Sequence, residues 1–140
     1  MAKLDEFCKA KRLRAEVKFG GAPDNPDFRD CQGWMVTLRY RGRQLTIPFY
    51  TGSLHGEPTV ADVVSCLILD AEGVKCAGSF EAWASDLGYD PDSRKAEKVF
   101  KACEREQVKI ERLLGDDYQA FAEAARDYQG MMAGRQRRLR

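Results

Sequence analysis

The chain has 140 residues, 44% hydrophobic and 32% charged, a composition typical of a single domain that buries its own core. Its net charge of +1 argues against a uniformly basic nucleic-acid binder and against a polyacidic mimic of DNA. No apolar run approaches the roughly 18 residues that a membrane-spanning helix needs. The N-terminus also lacks the apolar core of a secretory signal, so we expect a cytoplasmic protein.

The five cysteines are too scattered for a zinc site. No two of them form a CxxC pair, and the chain contains one histidine. We therefore expect reduced thiols, with Cys66 and Cys103 as small core residues, and we expect neither a metal nor a cofactor.

The N-terminal part predicts a short helix over residues 3–11 and a half-buried strand over residues 12–19. Apolar residues alternate with charged ones along this strand, a period of two. The apolar set is Leu13, Ala15, Val17 and Phe19. Gly20-Gly21 is expected to end the strand, and residues 22–32, rich in Pro, Asp and Asn, predict a loop.

Residues 34–50, WMVTLRYRGRQLTIPFY, predict a β-hairpin around a two-residue turn at Arg41-Gly42. This turn places all large apolar side chains on one face, which supports the register. The expected pairs are Tyr40–Arg43, Leu38–Leu45, Val36–Ile47 and Trp34–Phe49. Arg-Gly is not the preferred turn pair, so a bulged alternative stays open. Pro48 has no N–H to donate and should lie at an unpaired edge or a bulge.

The remainder of the chain predicts helices that cover the apolar face of the sheet. Thr59 and Asp62 form a variant capping box at the start of an amphipathic helix that Gly73 is expected to end. Ser79 is expected to cap a short helix over residues 80–88.

A long helix should begin at Asp90-Pro91 and end at Gly115, followed by a last helix over residues 117–129. Together these elements predict an α+β fold, a three-stranded antiparallel sheet covered by a bundle of about four helices. We expect one domain over residues 1–130 and a flexible basic tail over residues 131–140.

Charge is distributed in blocks. Residues 57–92 carry eight acidic side chains and one basic one, whereas residues 93–112 carry seven basic and four acidic ones. The last ten residues contain four arginines. These blocks predict a polarised surface.

On a helical wheel, six basic residues of the long helix fall within an arc of about 80°, opposite the apolar side. We call this set the cationic face: Arg94, Lys98, Lys101, Arg105, Lys109 and Arg112. One interpretation is a row of cations for a polyanion, either a phosphate backbone or an acidic protein surface. The alternative is a solvated helix face, part of which Glu97 and Glu111 neutralise.

The sequence carries no recognised catalytic signature. His55, in GSLHG, has no second histidine and no motif that ties it to a nucleophile, so we interpret it as a loop residue. The phosphate-binding, dinucleotide-binding, nucleophile-elbow and metalloprotease motifs are missing from the sequence. The paired acids Asp116-Asp117 are typical of helix starts. We therefore predict that the protein is not an enzyme.

Three stretches carry a resemblance to a known group: IPFYTGSLHGEPTVADVVSCLILDA, FEAWASDLGYDPDSRKAEKVFKAC and the closing LLG. Together they resemble a family of small, poorly characterised proteins carried by phages, prophages and plasmids. The resemblance covers about residues 34–115. It implies no catalytic residue, because the shared motifs are structural. Proteins of this type are often anti-defence factors, including anti-CRISPR proteins, which commonly act by stoichiometric binding.

The resemblance and the charge blocks favour a non-enzymatic inhibitor that binds a host defence protein or ribonucleoprotein, such as a CRISPR effector, in the bacterial cytoplasm. The cationic face would meet an acidic lobe or nucleic acid. The acidic block, with Asp86 and Asp90, would occupy a basic channel. The alternative is a small nucleic-acid-binding accessory protein that uses the cationic face and the arginine tail. A monomer and a homodimer are both compatible with the predicted fold.

Overall fold

The computed structural model describes residues 3–21, 31–52 and 56–128. These residues form a three-stranded antiparallel sheet with helices packed on one face, which confirms the predicted α+β class. His55, the predicted tail over residues 131–140 and residues 22–30 of the predicted loop lie outside the described residues. The loop prediction is wrong for residues 31–32, because they belong to a strand.

The sheet contains β1 (Arg14–Gly21), β2 (Cys31–Tyr40) and β3 (Arg43–Gly52), in the spatial order β1-β2-β3. The four predicted hairpin pairs between β2 and β3 are all present. Arg41 and Gly42 have φ of 48° and 78°, as a two-residue type I′ turn requires, and the bulged alternative is thereby excluded. Pro48 lies on β3, an edge strand, as predicted.

The predicted bounds of the first strand are wrong by two residues at each end, because β1 begins at Arg14 rather than at residue 12 and ends at Gly21 rather than at residue 19. It continues through Gly20 to Gly21, with a register irregularity between Phe19 and Gly21. Phe19 is 64% exposed and packs edge-to-face on Trp34 at 5.3 Å between ring centroids. Of the predicted apolar set, Leu13 is buried just before β1, Ala15 and Val17 are half-buried, and Phe19 is exposed, so burial decreases along the strand.

Five α-helices surround the apolar face of the sheet in the described ranges: α1 (Lys3–Ala10), α2 (Val60–Ala77), α3 (Phe80–Asp86), α4 (Arg94–Leu114) and α5 (Tyr118–Ala125). A 3-10 turn over Gly115–Asp117 joins α4 to α5. The predicted capping box is present, because the side chains of Thr59 and Asp62 each accept a hydrogen bond from the other's amide, at 3.1 and 2.9 Å. No helix in these ranges combines the length and the apolar character needed to cross a bilayer.

The prediction that Gly73 ends the second helix is wrong. Helix α2 continues to Ala77, and Gly78, with φ of 77°, ends it and donates its amide hydrogen bond to the carbonyl of Val74. The added turn packs Val74 against Trp83 in a second apolar cluster. This burial outweighs the cost of an interior glycine, about 1 kcal/mol relative to alanine.

The predicted start of the long helix is also wrong. Residues 91–92 form a turn, and α4 begins after Ser93, whose hydroxyl accepts a hydrogen bond from the amide of Ala96 at 3.3 Å. The Asp90 side chain accepts from the amide of Asp92 at 3.0 Å, a local turn that competes with a helix.

The two remaining predicted helices also differ from the structure at their ends. Ser79 caps α3 as expected, but this helix ends at Asp86, because Gly88 adopts φ of 77° and Tyr89 donates to the carbonyl of Ala84. The last helix begins at Tyr118, one residue later than predicted, and its predicted end at residue 129 is wrong, because the helix ends at Ala125 and residues 126–127 form a turn.

Helix α4 is a continuous rod anchored in both clusters of the core. Its N-terminal half packs Val99, Phe100 and Cys103 against α3 and the end of α2. Its C-terminal half buries Ile110, Leu113 and Leu114 with the sheet, α1, α2 and α5. Because both halves are anchored, the side chains on the outer face of α4 project from one rigid support. The predicted core positions of Cys66 and Cys103 are confirmed.

Candidate interaction surface on α4

All six residues of the cationic face are exposed on an unbroken helix. At about 1.5 Å of rise per residue, the face extends for roughly 27 Å along α4. The structure therefore brings the six predicted basic side chains together on one surface, as the wheel indicated.

Most of this charge has no acidic partner in the part of the chain that the structure describes. Within the described residues, Lys101 is the one member of the face that forms an ion pair, with Glu97 at 3.0 Å. The expectation that Glu111 neutralises part of the face is wrong, because Glu111 pairs with Lys75 of α2 at 3.2 Å. A row of unneutralised cations produces a positive potential that extends about one Debye length, roughly 8 Å at physiological salt.

An exposed valine lies beside the cations. Val108 is 48% exposed and follows Arg105 by three residues and precedes Arg112 by four, so it shares their side of the helix. Sequence reasoning missed it, although a single β-branched apolar residue on a polar helix face was a visible signal. An apolar contact surrounded by charge is the arrangement of a protein interface, in which apolar contacts lie inside a polar rim.

A further cation comes from the sheet. Arg43, the first residue of β3, lies across an open groove of about 510 Å³ from the C-terminal half of α4. The groove is lined by Arg43, Gln44, Leu45, Thr46, Lys109, Arg112 and Leu113. Arg43 Nε donates a hydrogen bond to the carbonyl of Leu113 at 2.9 Å, which holds the guanidinium at the groove wall. Lys109 and Arg112 thus belong both to the cationic face and to this groove.

Asp117 fixes the hairpin turn that carries Arg43. The Tyr40 hydroxyl donates to the Asp117 carboxylate at 2.6 Å, and Arg41 approaches the same carboxylate at 3.6 Å. The Tyr40 hydrogen bond lowers the pKa of Asp117, aided by the nearby cations. Sequence reasoning interpreted Asp116-Asp117 as helix-start acids, and Asp117 does directly precede α5, although its side chain makes no capping hydrogen bond there. Its partner is distant in sequence, so local patterns could not identify the contact.

The two predicted acidic contact residues lie apart from the groove. Asp86 is the last residue of α3, and Asp90 lies in the connection before α4; both are exposed. They are therefore at the N-terminal end of α4, whereas the groove is at its C-terminal end. The structure does not bring them into the cationic face.

A group of possible metal ligands connects α2 and α4. The ligand atoms of Asp70, Cys103 and Glu106 lie within 4.8 Å of one another, and the first two residues are buried. Thiolate and carboxylate are donor types that zinc accepts, but a structural zinc site takes four protein ligands and the described residues offer three here. We assign no metal to this group. Sequence reasoning missed it because Asp70 comes from a different helix.

The arrangement of the described residues is suited to noncovalent binding of an anionic surface. No protein-family model, no curated protein and no solved structure matches the chain.

Proposed function

We propose that this protein is a non-enzymatic binding protein that docks the cationic face of α4 on an acidic surface of a host defence complex and thereby inhibits that complex. The observation that carries the proposal is the row of six exposed cations, of which Lys101 is the one with an ion pair in the described part of the chain. Segregated charge of this kind favours an anionic partner, because electrostatic complementarity sets association rate and specificity.

The rigidity of α4 supports the same conclusion. The helix is anchored by Phe100 in one cluster and by Ile110 in the other, so its outer side chains are held on a preordered backbone. A preordered surface loses less conformational entropy on binding than a flexible one. Val108 would add a desolvated apolar contact among the charges.

The kind of target is taken from the sequence resemblance. Small mobile-element proteins of the group that the chain resembles often block defence complexes, including CRISPR effectors. Such complexes combine acidic and basic surfaces, so the exposed acids Asp86 and Asp90 would meet a basic region of the same partner. We propose that both contacts lie on the side of the protein that α3 and α4 form.

The second candidate is a nucleic-acid-binding accessory protein. Its support is the length of the cationic face, since about 27 Å of helix could follow several phosphates of one strand. If all six cations contacted phosphates, the slope of log K against log salt would be about −4 for single strands and about −5 for duplexes. Absence of oligonucleotide binding at low salt would refute this candidate.

Affinity capture from a bacterial host lysate tests the leading proposal. The tagged protein is compared with the triple variant Lys98→Glu/Lys101→Glu/Arg105→Glu, with and without nuclease treatment of the lysate. The variant Lys18→Glu is the control, because Lys18 is exposed on the sheet surface that faces away from the helices. We expect the wild type and the control to retain a nuclease complex and inhibit it, and the triple variant to lose it. Equal retention by all three proteins would contradict the proposal.

A further inference from the structure

The free edge of β3 has unused backbone hydrogen-bonding groups. In a two-residue hairpin the pair that closes the turn, here Tyr40 with Arg43, is hydrogen-bonded, and bonded pairs recur at every second residue. Gln44 and Thr46 lie between these positions and form non-hydrogen-bonded pairs with β2, so each directs its backbone N–H and C=O away from β2. In the described residues these two amides have no hydrogen-bond partner.

The side-chain contacts agree with this assignment. Thr46 lies opposite Thr37, and their hydroxyl oxygens are 2.9 Å apart, close enough to bond across the strands. Gln44 lies opposite Arg39 and accepts its hydrogen bond at 2.6 Å. Side chains approach most closely in non-hydrogen-bonded pairs, which is the class that leaves the backbone groups on the outer edge.

The same two residues line the cationic groove. Gln44 and Thr46 form one wall with Arg43, and Lys109 and Arg112 form the other. No acidic residue is among the lining residues of this groove. The groove therefore presents backbone donors, backbone acceptors and positive charge side by side.

We propose that this groove binds an extended acidic segment of the partner protein, which adds as a further strand to β3 at Gln44–Thr46. Carboxylates of that segment would face Lys109 and Arg112. The inference rests on the proposed function, since it supplies one contact of the same docking surface. Strand addition to a sheet edge is an established mode of peptide recognition, with affinity from main-chain hydrogen bonds and specificity from alternate side chains.

A peptide fits this edge better than a phosphate group does. Gln44 and Thr46 each offer one acceptor beside each donor, and the phosphodiester of a nucleic acid has no proton to give a carbonyl oxygen at neutral pH. An extended peptide satisfies both groups. The added strand is short, because Pro48 occupies the next outward position and has no N–H.

The test compares Thr46→Pro with Thr46→Val. Both variants lose the Thr37 hydroxyl contact, but Thr46→Pro alone loses the outward N–H, at the kind of position that Pro48 already occupies. The probe is a seven-residue peptide of alternating Val and Glu with blocked ends, measured by fluorescence anisotropy and by amide NMR shifts of Gln44 and Thr46. We expect Thr46→Val to bind like wild type and Thr46→Pro to bind at least about tenfold more weakly.

Three results with the peptide would overturn the inference. The first is that wild type does not bind the peptide with a Kd below about 1 mM. The second is that Thr46→Pro and Thr46→Val bind it equally well, and the third is that a peptide with N-methylated strand amides binds as well as the unmodified peptide. Displacement of the peptide by a single-stranded oligonucleotide that itself shifts the Gln44 and Thr46 amides would assign the groove to phosphate and also overturn it. In the lysate capture, retention of the complex by Thr46→Pro but not by the triple variant rejects the strand addition alone. Retention by both rejects the proposed function as well.

Discussion

Replacing Arg105 by glutamate should stabilise the folded protein while it weakens partner binding. Arg105 lies at the middle of the cationic face, with Lys101 four residues before it and Lys109 four residues after it, and all three are exposed. Like charges at this spacing repel, whereas opposite charges attract. Electrostatic repulsion at Arg105 therefore destabilises the folded state, so Arg105 is not needed for folding.

The magnitude follows from the two neighbours. Removing two like-charge pairs relieves about 0.4–1 kcal/mol, at 0.2–0.5 kcal/mol per pair. Glutamate adds attraction to Lys109 and a weaker one to Lys101, which Glu97 already engages at 3.0 Å. We expect a net stabilisation of about 1 kcal/mol, or about 3 °C in Tm for a domain of this size.

Urea unfolding of wild type and Arg105→Glu, at low salt and at about 1 M NaCl, measures this difference in stability. At 1 M salt the Debye length is about 3 Å, so screening should remove most of the difference. The same variant should lower affinity for an anionic partner, and each lost contact with a phosphate should reduce the salt slope by about 0.7–0.9. Lys18→Glu is the control variant: it has the same change in charge as Arg105→Glu, and we expect it to keep the wild-type affinity for the partner. A destabilisation above 1 kcal/mol, or unchanged partner affinity, would refute the reasoning.

Three further predictions concern the scaffold that holds the surface. Asp117→Asn should flatten the fall in stability below about pH 4 in acid titrations followed by circular dichroism: the lowered pKa of Asp117 means that its stabilisation is complete above the ordinary carboxyl range and is lost as pH falls through the folded-state pKa. If the stability of Asp117→Asn fell with pH as steeply as that of wild type, the hydrogen bond between Tyr40 and Asp117 would be contradicted. Gly73→Ala should raise the free energy of unfolding by about 0.5–1 kcal/mol, because the position is helical and its Cβ would meet open space; destabilisation in urea would argue against a continuous α2. Gly115→Ala should destabilise by about 1–3 kcal/mol, because φ is 56° and an added Cβ would lie 3.1 Å from Arg43 Nη2. Thermal melts that match wild type would contradict this last expectation.

The register of the hairpin could be predicted because three local signals agree, although its strands extend beyond the predicted residues 34–50, to Cys31 and Gly52. The period of two, the two-residue turn and the single apolar face all require the same register, and a shift by one residue would expose Val36 and Ile47. The wheel position of the cationic face was equally predictable, since it depends on helix periodicity alone.

Helix ends were predicted less well because local propensity competes with packing. Gly73 is a usual helix terminator, yet burial of Val74 extends α2 beyond it. Pro91 suits a first helical position, yet the Asp90 side-chain turn and the Ser93 cap place the start later. In both places a contact made only in the folded chain decides the boundary.

The groove could not be predicted from the sequence at all. Arg43 belongs to a hairpin and Lys109 to a helix far along the chain, and no periodicity relates them. The ion pair of Lys75 with Glu111 also joins residues that are distant in sequence. Because Glu111 pairs with Lys75, it does not neutralise the cationic face, as its position in the sequence had suggested. Residues that meet through tertiary packing have no signature in one sequence.

The most direct test of the central claim is the affinity of the captured partner for wild type and for the Lys98→Glu/Lys101→Glu/Arg105→Glu variant, measured by surface plasmon resonance over a range of salt concentrations, with equal folding of both proteins checked by thermal melting. If the cationic face of α4 is the contact surface, wild-type affinity falls steeply with salt and the variant binds much more weakly at low salt. Equal affinities with equal salt dependence would contradict the account.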